Sequence, residues 1–164
     1  MPNDTKKICS AALRLIAPKD WESLTLDHIA KATKIPLARV KKICADKDAL
    51  LAALVQHFTN ETKSAVGKIN KNDSGHDRLF EVMMARLDVL QKNRQAITCI
   101  LHAVKHNPKL TMILVPAQRQ AMQDMLRFAG FADETGLRQR VITAGLLAIY
   151  AVTLCAWSRD QTPD

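Results

Sequence analysis

Between residues 31 and 47 stand six basic side chains, Lys31, Lys34, Arg39, Lys41, Lys42 and Lys47, against one acid, Asp46. Cations at this density suit a polyanion, and an arginine adds a planar fork that matches a phosphate or a guanine edge. The surplus is local. Residues 1–72 carry 13 − 7 = +6, and the remaining 92 carry 11 − 9 = +2, within a total of +8. A basic N-terminal third points to nucleic acid as the partner. The plainer alternative is a solvated, lysine-rich surface.

The other chemistry-bearing residues exclude more than they suggest. The sequence shows no Ser/His/Asp or Cys/His set and no glycine-rich phosphate loop, so an enzyme is not expected, nor a cofactor. His102 and His106 are four apart and share a helix face. Two histidines without a third ligand read as surface or pocket residues, and no metal site is expected. Cys9, Cys44, Cys99 and Cys155 are far apart in apolar helical contexts and read as reduced core thiols of a cytoplasmic protein. Met83, Met84, Met112, Met122 and Met125 accompany Phe80, Leu87, Ile100, Leu101 and Tyr150. Methionine-rich helices can line a deformable pocket for a small apolar effector, or simply fill a core.

The elements that must position these residues are helices. Hydrophobic residues make up 48% and aromatics 4%, dominated by good helix formers with no alternating β-branched run. Asp4 or Thr5 can cap a first helix to about residue 17, ended by Pro18. Thr25 can cap a short second helix, and Pro36 suits the first turn of a third, reaching about Ile43. Asp46 can cap a longer fourth with Leu50, Leu51, Leu54, Val55 and Phe58 on one face. Residues 67–75 are the most loop-like stretch and a natural module boundary. Leu79, Phe80, Met83, Leu87 and Leu90 then mark an amphipathic helix, and Ile97, Ile100, Leu101 and Val104 another, stopped at Asn107-Pro108. A helix over about 109–129 should be kinked or split by Pro116. The last runs from about 134 to 158. Its residues 141–157 are 17 without a charge, slightly short for a span, so a buried interface helix is expected and integral membrane insertion is not.

Three short helices and a long one are the order of a helix-turn-helix module. The stretch Trp21-Glu22-Ser23-Leu24-Thr25-Leu26-Asp27-His28-Ile29-Ala30-Lys31-Ala32 resembles the second-helix signature of TetR-family regulators, and Lys47-Asp48-Ala49-Leu50-Leu51 resembles that family's step into its fourth helix. The likeness covers residues 5–60. Further on, Ala85-Arg86-Leu87-Asp88-Val89-Leu90 and Trp157-Ser158-Arg159-Asp160-Gln161-Thr162-Pro163-Asp164 resemble a short-chain branch, relative to whose members the chain is expected to stop early.

The resemblance implies an all-α, TetR-like fold: residues 1–52 as the DNA-binding helix-turn-helix, and 53–164 as a helical ligand-binding and dimerisation part. Thr25, Leu37, Arg39, Lys41, Lys42 and Lys47 would meet double-stranded DNA. A pocket would draw on Phe80, Met83, Met84, Leu87, Ile100, Leu101, Met122, Met125 and Tyr150. A homodimer would close as a four-helix interface of the last two helices and their symmetry mates, through Gly145, Leu146, Ala148, Ile149 and Val152, with Ala151 also allowing close approach and Leu147 and Leu154 adding apolar area. The implied protein is a ligand-responsive repressor. The sequence departs from the family where Lys34 replaces the usual Gly, Pro36 a small polar residue, Arg39 a Thr, Lys41 a Tyr and Cys44 a Phe. DNA reading then leans on charge. Alternatively the module is a relic, as in the TetR-fold lipid-binding accessory protein of ubiquinone biosynthesis, which the terminal segment also weakly resembles.

Overall fold

A computed structural model of the chain describes residues 2–67, 69–70, 72–131 and 136–159. Among them it has eight helices and no strand: α1 (Pro2–Ile16), α2 (Leu26–Thr33), α3 (Leu37–Ile43), α4 (Lys47–Val66), α5 (Gly75–Gln91), α6 (Arg94–His106), α7 (Pro108–Phe128) and α8 (Gly136–Arg159). The all-α expectation holds. The expected start of the last helix at 134 and the segment 160–164 lie outside the described residues.

The helix ends follow from cap chemistry. Side-chain oxygens of Thr25, Asp46 and Ser74 accept from the backbone N–H of His28, Ala49 and Asp77 at 3.2, 2.8 and 3.1 Å, satisfying donors that a first helical turn leaves orphaned. Asn107 accepts from Lys109 at 3.1 Å ahead of Pro108. The first helix begins at Pro2, earlier than expected, which leaves Asp4 as the acid of its first turn. At the end of α7, Gly130 takes φ +85°, and the N–H of Phe131 reaches back to the Leu126 carbonyl at 2.9 Å, the glycine-terminated helix stop.

One apolar core runs through the chain. Ile8, Ile16, Trp21, Ile29, Val40 and Leu50 knit α1, α2, α3 and the start of α4 together. Helix α4 packs on α1, α5 and α7, while α1 touches α6. The expected division at 52/53 falls inside α4, which runs on unbroken and belongs to both parts. Helix α8 packs chiefly on α7. Its far end is clamped: Arg94 donates to the Trp157 carbonyl at 2.6 Å and lies over its ring, and the Trp157 indole N–H donates to Gln91 at 2.9 Å.

Two sequence expectations need correction. Of the kink or split expected at Pro116, the split does not occur, since α7 is continuous; the proline is exposed, where a freed carbonyl can bond to water. The inward stripe of α5 is Val82, Arg86, Val89 and Leu90, with Leu79, Met83 and Leu87 only half-buried. Phe80 is 61% exposed and Met84 41% exposed. The apolar residues on this helix span more than one face, and the arginine, not the phenylalanine, takes the inside.

Candidate nucleic-acid interface and buried cavity

The helix-turn-helix is set by the turn between α2 and α3. Lys34 caps α2 in the left-handed region, φ +57° and ψ +27°, which explains why glycine suits this position. Thr33 closes the helix by donating from its hydroxyl to the Ile29 carbonyl at 2.8 Å. Pro36 precedes α3, and its carbonyl accepts from Arg39 and Val40 at 2.8 and 3.1 Å. Val40 and Cys44 are fully buried, so the outer side of α3 is left to Ala38, Arg39, Lys41 and Lys42.

The six expected DNA-binding residues fare differently. Thr25 is exposed at the start of α2, its oxygen engaged in the cap. Leu37 is half-buried against the core, because the face it shares with Val40 turns inward. Arg39 is ion-paired with Asp4 of α1. Lys47 donates to the Glu22 carbonyl at 3.0 Å and sits 5.2 Å from the Trp21 ring centroid; it ties the start of α4 to the turn before α2. Lys31 pairs with Asp27 at 2.7 Å. Lys34, Lys41 and Lys42 remain exposed, with no ion pair among the described residues. An open groove between α1 and α2 adds Lys7 and Arg14. Sequence reading missed these two, although their seven-residue spacing on one face of α1 was the signal.

A cavity of about 40 Å³ lies among the helices of the second part. Its wall includes Leu54 and Phe58 of α4, Arg86 of α5, Ile100 and Leu101 of α6, Leu114 and Gln118 of α7, and Tyr150 of α8. Of the nine expected pocket residues, Ile100, Leu101 and Tyr150 line it. Met122 and Met125 are fully buried elsewhere in the core, Met83 and Leu87 are half-buried away from the cavity, and Phe80 and Met84 face out. Arg86, only 1% exposed, was not foreseen. It donates from Nε to the Tyr150 hydroxyl at 3.1 Å, from Nη1 to Thr59 at 3.4 Å and from Nη2 to Gln118 at 3.2 Å. Its place between Val82 and Val89, four and three residues away, was the available clue.

On α8, Gly145, Ala148, Ile149 and Val152 are exposed, together with Leu137, Val141 and Cys155. Leu146 and Leu154 are corrections: they are 8% and 7% exposed and spend their area inside the protomer. Cys155 is a correction too, since it is exposed and Cys99 is half-buried, whereas Cys9 and Cys44 are buried free thiols. His106 Nδ1 lies 2.8 Å from the His102 carbonyl, and no group of three candidate metal ligands occurs among the described residues.

This arrangement, a helix-turn-helix joined to a helical bundle, is that of known regulators. The chain is similar to a TetR transcriptional regulator from Rhodococcus sp. RHA1, with a TM-score of 0.59 and 17% identity over 89% of this chain and 79% of that one. It is also similar to the TetR family transcriptional regulator PfmR from Thermus thermophilus, with a TM-score of 0.51 and 17% identity over 96% of this chain and 88% of that one. No family model matches the sequence, and no curated protein matches it. The fold is therefore that of TetR-family transcriptional regulators.

Proposed function

We propose that the protein is a DNA-binding transcriptional regulator of the ligand-responsive repressor type, working as a cytoplasmic homodimer. The observation that carries this reading is the pair of exposed lysines Lys41 and Lys42, with no ion pair among the described residues, on the helix that the turn at Lys34–Pro36 sets after α2. Lys34, Lys7 and Arg14 extend the positive surface. With Arg39 held by Asp4 and Leu37 turned inward, contact would rest mainly on phosphates, with Thr25 at a helix N-terminus. Lys47 would act by holding the module's shape. Residues 1–52 would carry DNA binding and 53–164 effector binding and dimerisation, coupled through α4.

In a dimer joined along α8, two recognition helices would meet half-sites about one DNA turn apart. An apolar effector in the second part would favour one spacing of the pair and so change DNA affinity. Selection of fragments from sheared genomic DNA across salt concentrations tests the reading. A recovered palindrome preferred at physiological salt is the expected outcome; uniformly weak binding that disappears with salt would sink it.

A second reading is a TetR-fold protein that binds lipid or isoprenoid and does not read DNA. The bare apolar face of α8 and the pairing of Arg39 with Asp4 favour it. Copurification of an apolar lipid, with no salt-sensitive DNA affinity, would mark that case.

A further inference from the structure

Arg86 is a buried cation with no carboxylate beside it. Its three partners, Tyr150, Thr59 and Gln118, are all neutral. A guanidinium has five N–H donors. Three are spent, so one N–H on each terminal nitrogen has no acceptor among the described residues. The Tyr150 hydroxyl accepts from Arg86, and its own proton has no acceptor there either. The rest of the cavity wall is almost wholly aliphatic and aromatic. A buried charge with unmet donors in such surroundings is costly unless an anion compensates it.

We propose that the cavity takes an anionic effector, a monocarboxylate with an apolar tail, whose carboxylate is held by the two free N–H groups of Arg86 and by Tyr150. The regulatory meaning of this binding rests on the effector reading above. Two oxygens on one carbon match the two terminal nitrogens of a guanidinium. A single positive charge balances a monoanion and leaves a phosphate dianion half-compensated. The present volume, about 40 Å³, holds roughly two or three waters, enough for a carboxylate head. Leu101, Leu114 and Gln118 are half-buried, so the wall nears the surface between α6 and α7, and the tail would leave the cavity there.

The test is isothermal titration of the intact protein, without DNA, with straight-chain acids of four to ten carbons and the matching primary alcohols. At least one acid should bind about tenfold or more tightly than its alcohol, the scale of a charge-assisted hydrogen bond. Arg86→Gln should bring that acid down to its alcohol's affinity. If no acid binds, or acid and alcohol bind alike, the proposal is overturned. The acid–alcohol comparison on the unaltered protein decides the matter even if Arg86→Gln does not fold. Repeating the genomic DNA selection separates the two readings: acid binding without DNA binding would remove the regulator and leave the site, and the converse would do the reverse.

Discussion

In the proposed regulator, Lys41 and Lys42 are the residues on which DNA contact would most depend. Each is a compact charge on a flexible stem and can follow a phosphate without carrying sequence information. Replacing both by Ala should weaken DNA binding about equally for all sequences. The slope of log affinity against log salt should flatten by about 1 for each lysine that touches a phosphate. Unchanged affinity and slope in a fluorescence-anisotropy titration would remove α3 from the interface. Cys9 shows the opposite situation, a reactive group type made inert. Burial, with a smaller effect from neighbouring Cys44, pushes its thiol from 9.0 up to about 12. The folded state therefore keeps a proton that the unfolded chain releases near pH 9. The associated stability is whole below about pH 9 and declines as pH rises from there toward about 12. The urea midpoint should accordingly fall between pH 8.5 and 10.5, and fall less in Cys9→Ala, each variant referred to its own midpoint at pH 8. Equal falls in both proteins would remove Cys9 as the cause.

Among the elements, α7 carries the least favourable residue for its place. Pro116 stands eight residues past the first helical position, gives no N–H to the Met112 carbonyl, and points to solvent. Met112 is 77% exposed, so water can serve that carbonyl and the helix persists. Pro116→Ala should restore the bond and raise stability by about 1–3 kcal/mol, measured as a higher urea midpoint with an unchanged slope. A lower midpoint would mean that packing depends on the proline itself. The same helix shows why some of the fold was legible and some was not. Caps at Thr25 and Asp46 are local chemistry, readable from neighbouring residues, and both hold. Whether a proline breaks a helix depends on which way the helix faces, which is set by distant contacts. The α5 stripe failed for that reason, since its apolar residues spread around the helix and only the partners on α4, α7 and α8 select Arg86 as the inward one. Likewise the basic residues of 31–47 were legible as a group, but the pairing of Arg39 with Asp4, 35 positions away, was not.

At the scale of the molecule, α8 presents its problem openly. By length and composition it could cross a membrane, yet only 22% of its most apolar window is buried in the protein. Its inner side is already committed, with Thr143, Leu146, Tyr150 and Leu154 buried and Tyr150 bonded to Arg86. A bilayer would have to replace those contacts, whereas a second copy of the chain needs only the outer side. That side runs Leu137, Val141, Ala144, Ala148, Val152 and Cys155, at helical spacing, with Gly145 and Ile149 beside it. Ile149 and Val152 are 65% and 71% exposed, a large apolar stripe for a lone protomer. Small residues at 144, 145 and 148 let two such helices approach closely. In an isologous pair joined along this stripe, a charge placed on it would be met twice. Ile149→Asp with Val152→Asp should therefore give a protomer-sized species in sedimentation equilibrium at concentrations where the unaltered protein is a dimer, with helical content retained. DNA affinity should fall with it, because a single half-site supplies only half the phosphate contacts. A double variant that stays dimeric would place the interface off α8, and an unaltered protein that sediments as a monomer would return the stripe to the lipid-binding reading.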